Sequence, residues 1–222
     1  MPTTLENLQR LHSHMWGNNV INVIQAGGKT YLTVDLTLFE LPQNTSHENT
    51  LLIRDQYVLA YDIILADTRK GKKRKSAFLV TGQTGIGVLG YPFLQRIFAN
   101  LTLSIGKTLF LLYILARRLH ERQPVALQVD ASNFALFDKG GASLHESSPI
   151  SAYLIPEGAW ALSDSSGGEV VEPCSAFKWH RTHIVHTSSP ASCHWTKDVF
   201  AIRHVMDIWS LEELQTLLYV LS

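Results

Sequence analysis

The stretch "TGQTGIGVLGYPFLQRIFANLTLSIGKTLF", Thr81 to Phe110, holds the two halves of a phosphate-binding loop with other sequence between them. Such a loop reads G-x-x-x-x-G-K-[ST], and its spacing has a geometric cause. The glycines let consecutive backbone N–H groups converge on phosphate oxygens, and the following helix turns its positive end toward them. The lysine reaches the terminal phosphates, and the hydroxyl holds Mg2+. Here Gly82-Gln83-Thr84-Gly85-Ile86-Gly87 supplies the left half, but the lysine and hydroxyl arrive only in Ile105-Gly106-Lys107-Thr108. Gly82 and Lys107 stand 25 positions apart where the pattern needs six, an excess of nineteen. Removing any nineteen-residue window from 86–104 to 88–106 yields the same product, GQTGIGKTLFLL, which matches the pattern at every defined position. The flanks agree with this. Ala77–Thr81 is a short apolar run that reads as a strand, and Leu109–Arg122 has the apolar density and basic end of a helix on a sheet.

Residues 88–106 admit two readings. Nineteen codons are 57 nucleotides in frame, the size of a short intron, with a donor GT permitted inside the Gly87 codon and an acceptor AG permitted across Ile105–Gly106. On that reading the tract is retained intron or a gene-model error. On the other it is a true insertion, with a turn at Tyr91-Pro92 and a short helix or strand over Phe93–Leu103. Either way the chain as written is expected to bind nucleotide poorly, unless the tract loops out and lets Gly82–Gly87 and Gly106–Thr108 reassemble.

A second nucleotide-handling motif is expected further on. Gly158–Ser165, "GAWALSDS", is an apolar strand ending in Asp164, 57 residues after Lys107. An acid at the carboxyl end of a neighbouring strand faces the loop and holds Mg2+ through water. Ser165 stands where many ATPases carry a glutamate that polarises water, so fast hydrolysis is not expected. His183–Pro190, "HIVHTSSP", is another strand with a hydroxyl-rich end. In ATPases with an extra strand between the loop and acid strands, a polar residue there touches the γ-phosphate, which makes Ser188 and Ser189 candidates. A plain Ser/Thr/Pro turn is the competing reading.

The remainder reads as one α/β domain with extensions. The apolar run Lys29–Leu36 suits a strand, and Leu51–Asp67 suits a helix. Val125–Val129 and Ala201–Met206 are short apolar strands like those covered on both sheet faces. Phe134–Ala142 reads as a hairpin with its turn at Lys139-Gly140-Gly141, and Ser210–Glu213 is a capping box opening a helix over Leu211–Leu221. The 222 residues are 45% hydrophobic and 17% charged with zero formal net charge, a globular composition with no general attraction to nucleic acid or anionic lipid. Two cysteines make no disulfide framework, and no apolar run approaches the roughly 20 residues of a membrane span. An intracellular protein, cytoplasmic or nuclear, is therefore expected. The basic run Arg69–Lys75 is a solvated loop, a nuclear localisation signal or a phosphate-contacting patch, and no interleaved aromatics support nucleic-acid binding. Cys174, His180, His183, Cys193 and His194 offer soft metal ligands, but their C-x5-H-x2-H-x9-C spacing fits no standard zinc site.

With the loop rejoined, residues 51 to 221 resemble P-loop proteins abundant in fungi, akin to Crinkler-type and retrotransposon-hot-spot-type ATPases of STAND or AAA-like kind. The resemblance rests on "LVTGQTGIG…GKTLFLLYILARRL", "WALSDSS", "IVHTSSP" and "VMDIWSLEEL", in that order. It implies an α/β three-layer sandwich with a mostly parallel sheet, incomplete at the C-terminus because the family's further C-terminal regions would be lacking. It divides the chain into an N-terminal extension, 1–50, with a small β element, and a P-loop-like domain, 51–222, carrying the 88–106 tract. It further implies ATP or GTP with Mg2+ as cofactors. Gly82, Gln83, Thr84, Gly85, Ile86, Gly87, Gly106, Lys107 and Thr108 would cradle phosphate, and Thr108 and Asp164 would hold the metal. Lys107 and Asp164 would be catalytic if hydrolysis occurs, and Ser188 or Ser189 would act as a sensor. The alternative expectation is a scaffold that keeps the fold, binds no nucleotide and contacts proteins through the N-terminal region. A nuclear effector-like role rests on the basic run and the family analogy alone.

Overall fold

Seven strands form the central sheet of the computed structural model. The structure describes residues 4–17, 22–26, 29–33, 50–69, 76–82, 105–165, 170, 172–179, 182–188, 195, 200–207, 210 and 212–213. In chain order these form α1 (Leu5–Met15), β1 (Asn22–Ala26), β2 (Lys29–Thr33), β3 (Thr50–Ile53), α2 (Asp55–Arg69), β4 (Ser76–Gly82) and α3 (Ile105–His120). Next come β5 (Val125–Gln128), β6 (Asn133–Asp138), β7 (Gly141–Glu146), a 3-10 turn (Ser151–Leu154), β8 (Trp160–Asp164), α4 (Ser175–Trp179), β9 (His183–Ser188) and β10 (Phe200–Met206).

Five neighbouring strands, β10, β4, β9, β8 and β5, run parallel, and the β6–β7 hairpin continues the sheet antiparallel. The protein is thus α/β, with a mixed but mostly parallel sheet. The strands read as continuous apolar runs because alternate residues enter two different cores. Phe78, Val80, Val125, Leu127, Trp160, Leu162 and Val185 pack with α1, α2 and α3 on one face. Ala77, Leu79, Ala126, Ala161 and Ile184 face the other cluster, with Ala176 and Phe177 of α4.

Most expected strands are present, and the hairpin turns at Lys139-Gly140, where Asp138 Oδ1 accepts the Gly140 N–H at 2.7 Å. Two boundaries differ. The helix expected over Leu51–Asp67 begins only at Asp55, because residues 50–53 pair antiparallel with β2 in a separate three-stranded sheet. An apolar Leu-Leu-Ile run serves either conformation, and pairing with β2 decides it. The helix expected from Leu109 starts earlier, at Ile105, so Gly106, Lys107 and Thr108 lie in its first turn. It ends before Arg122, whose φ of 54° places it in the left-handed region that closes helices.

The N-terminal helix α1 sits in the same core as α2 and α3. Leu8, Leu11 and Met15 form one buried stripe, and His12 Nε2 donates to the Asp138 carbonyl at 2.8 Å. The expected C-terminal capping box is formed: Glu213 N donates to Ser210 Oγ at 3.1 Å, and Ser210 N donates to Glu213 Oε2 at 2.7 Å. The rest of the expected helix, beyond Glu213, lies outside the described residues, as do Val34–Leu36, Lys70–Lys75 and the 88–104 tract.

Candidate functional site

The first turn of α3 meets the carboxyl ends of β8 and β9. Thr108 Oγ1 donates to Asp164 Oδ2 at 2.7 Å, and Thr187 Oγ1 donates to Asp164 Oδ1 at 2.7 Å. One carboxylate, at the last residue of β8, thereby joins a helix start to the neighbouring strand. Strand alternation explains its direction. Asp164 continues the row of Trp160 and Leu162, which face α3, and Thr187 continues the row of Val185.

Lys107 lies in the same turn and is 5% exposed. Burial pushes its ammonium below the usual lysine range, and the nearby Asp164 carboxylate opposes that shift. A buried cation, a hydroxyl and a carboxylate therefore share the amino end of a sixteen-residue helix. The first-turn N–H groups there lack intrahelical partners, and the helix dipole favours negative charge. The arrangement suits an anion accompanied by a hard cation.

Of the sequence candidates, Lys107, Thr108 and Asp164 come together here, and Gly106 is in the same turn. Gly82 ends β4, one residue beyond Thr81, which pairs with Ser188 on β9. Ser188 is buried at that strand end. Gln83, Thr84, Gly85, Ile86, Gly87 and Ser189 lie outside the described residues. Of the zinc candidates, Cys174 is a buried free thiol and His183 lies on β9, while His180, Cys193 and His194 are outside the described residues. Among the described residues, no three His, Cys, Asp or Glu side chains gather as a metal-binding group.

Two participants are not among the residues that the sequence singles out. Thr187 sits one position before the serines that the hydroxyl-rich end suggests, and only the register of β8 against β9 aims it at Asp164. Tyr57, on α2, is fully buried and donates its hydroxyl to the Gly106 carbonyl at 2.7 Å. Nothing in its local sequence separates it from an ordinary core tyrosine.

Behind the same strand ends, on the α4 face, runs a buried polar row. Gln128 Oε1 accepts from Ser163 Oγ at 2.8 Å and from the Cys174 N–H at 3.1 Å. With its proton given to Gln128, Ser163 Oγ accepts from His186 Nδ1 at 3.0 Å. Among the described residues, His186 Nε2 has no hydrogen-bond partner, nor does Nε1 of Trp195, whose ring stands edge-on to His186 at 5.3 Å. Burial pushes His186 down to about 4, against the pull of Asp164 and Glu172 and with the help of Lys178.

A histidine depressed in this way stays neutral in the fold, while the unfolded chain takes up a proton below about 6.5. Stability is therefore expected to fall by roughly 3 kcal/mol as the pH drops from about 6.5 to about 4. His183 and His204, both lowered chiefly by burial, push the same way. Urea denaturation at several pH values checks the His186 share: His186→Gln should flatten the acid slope relative to the parent chain. An unchanged slope would mean that His186 does not bear the cost.

No helix among the described residues is long and apolar enough to cross a membrane. No protein-family model matches this chain, and no curated protein matches it either.

Proposed function

We propose that the first turn of α3, with Asp164, is the phosphate and Mg2+ end of a P-loop-type nucleoside triphosphate site. The observation that carries the reading is the 2.7 Å hydrogen bond from Thr108 to Asp164 beside a buried Lys107. A hydroxyl directly after a lysine, at a helix start and touching a strand-terminal acid, is the pairing that the split loop and the acid strand call for together. Topology supports it. β9 lies between the loop strand β4 and the acid strand β8; the chain passes from β4 outward to β5, then returns through β8 and β9 and ends the sheet at β10, on the other side of β4. In open α/β sheets, ligands gather at the carboxyl ends of strands around such a reversal.

The donor set fits Mg2+. One carboxylate and one hydroxyl are hard oxygen ligands, and Mg2+ is bound by one or two carboxylates together with phosphates and water. Thr108 and Asp164 would hold it, and when bound it supplies charge neutralisation at the β- and γ-phosphates. Lys107 would place its ammonium against the terminal phosphate, where an anion compensates the cost of burying it. Thr187 holds the Asp164 carboxylate in one orientation. Ser165 offers no carboxylate, and its hydroxyl is bound to the Thr187 carbonyl at 2.9 Å. Nothing at that position can polarise an attacking water, so the reading is nucleotide binding with weak or absent hydrolysis.

Titration with Mg2+-ATP and Mg2+-GTP tests the reading. Lys107→Ala should weaken binding about 100-fold, the scale of a desolvated ion pair worth ~3 kcal/mol. Equal affinity of the parent and Lys107→Ala chains would overturn the proposal. Failure of both the full chain and one lacking 88–106 to bind would leave the fold as an interaction scaffold.

A further inference from the structure

The geometry points to Tyr57 as a positioning residue of the Lys107 site, held in turn by Asp207 and Glu213 through Arg54. This inference rests on the nucleotide reading for its function, but its structural half stands on separate contacts.

Gly106 and Lys107 share one peptide unit. Its carbonyl accepts the Tyr57 hydroxyl at 2.7 Å, and its N–H belongs to the first turn of α3, where helical N–H groups lack intrahelical partners. Anchoring the carbonyl fixes the plane of that peptide and so the direction of the Lys107 N–H. Hydrogen bonding to the carbonyl also polarises the peptide and strengthens the N–H as a donor. An anion at the helix start would receive a stiffer and better donor than an unbraced turn provides.

Tyr57 is itself braced. Its ring lies 5.6 Å from that of Phe110, and the Arg54 guanidinium sits 5.9 Å from its centroid. Arg54 is 4% exposed and grips the other end of the chain. Its Nε and Nη2 donate to the two Glu213 oxygens at 2.8 and 3.1 Å, and both Nη groups reach the Asp207 carbonyl at 3.3 Å. Gln56 exchanges two further bonds with Asp207, at 2.7 and 3.1 Å. The amino end of α2 is therefore a bridge between the end of β10 with its capping box and the peptide that precedes Lys107. A segment tied to a site in this way must sense the site in return, because coupling between two binding events is reciprocal.

The full chain tests this in three forms: parent, Tyr57→Phe and Glu213→Gln. Tyr57→Phe removes one hydroxyl without changing ring packing. It is expected to speed amide exchange at residues 109–112, whose N–H groups bond back to the first-turn carbonyls, about ten-fold, the weight of one hydrogen bond, while β8 stays within about two-fold. Glu213→Gln should act in the same direction at the same amides, although Glu213 touches none of them. Binding of Mg2+-ATP should weaken about ten-fold in Tyr57→Phe, and in the parent it should slow exchange at Glu213. Unchanged exchange at residues 109–112 in both variants overturns the inference, as does unchanged affinity in Tyr57→Phe when the parent binds. A parent chain that binds no nucleotide, yet shows the exchange changes, sinks the nucleotide reading and leaves the bridge supported.

Discussion

A chain lacking Val88–Gly106 is expected to bind Mg2+-ATP at least about 100-fold more tightly than the full chain, because the cut restores GQTGIGKT between β4 and α3. The magnitude follows from the donors that contiguity brings. Charge-assisted hydrogen bonds from backbone N–H groups to phosphate are worth about 1.5–3 kcal/mol each, and two of them already amount to roughly 100-fold. The rest of the site needs no rebuilding, since Thr108, Asp164 and Thr187 are already joined by two 2.7 Å bonds. Calorimetric titration of the two chains side by side decides the matter. Equal affinities would mean that Gly82–Gly87 and Gly106–Thr108 act together despite the intervening tract, and lack of binding by both would favour the scaffold. Transcript sequence across residues 86–106 gives a separate test of the intron reading, which fails if no compatible splice signals exist.

Glu213→Ala is expected to cost ~3 kcal/mol of stability by removing the carboxylate that receives two bonds from a buried guanidinium, a loss of about 6–12 °C in Tm for a chain of this size. Arg54 has a side chain only 2% exposed, against 19% for Glu213. Burial alone would raise the Glu213 carboxyl, but hydrogen bonds from Arg54 and Ser210 outweigh it and leave the group below the usual carboxylate range. Replacing both partners, Arg54→Met with Glu213→Leu, should cost much less, since no charge is then left unpaired. Thermal and urea unfolding of the single and double variants measure the difference. A single-variant loss below about 1 kcal/mol would show that the pair behaves as an exposed one.

These expectations draw unequally on sequence and coordinates. Lys107, Thr108 and Asp164 are legible as a set because each motif constrains residue type at fixed offsets. The strand before Gly82, the helix after Lys107 and the Lys139-Gly140 turn are legible because periodicity and turn chemistry are local. The Leu51–Ile53 run was misread as helix because three apolar residues carry no period of their own. Thr187 and Tyr57 were not legible at all. One depends on the register of two strands, and the other on where α2 crosses the first turn of α3.

By itself, the amino-acid sequence determined most of the short segments that become strands and helices and which side chains carry the chemistry that the proposed site needs. Those properties follow from near-neighbour sterics and side-chain type. Tertiary structure alone decided that Asp164 is held from both sides by Thr108 and Thr187, and that Arg54 ties Glu213 to the same region. Those pairings join residues 23 to 159 positions apart. They form only when burial of the two apolar faces brings the elements together, so their cause lies in packing rather than in any local stretch of chain.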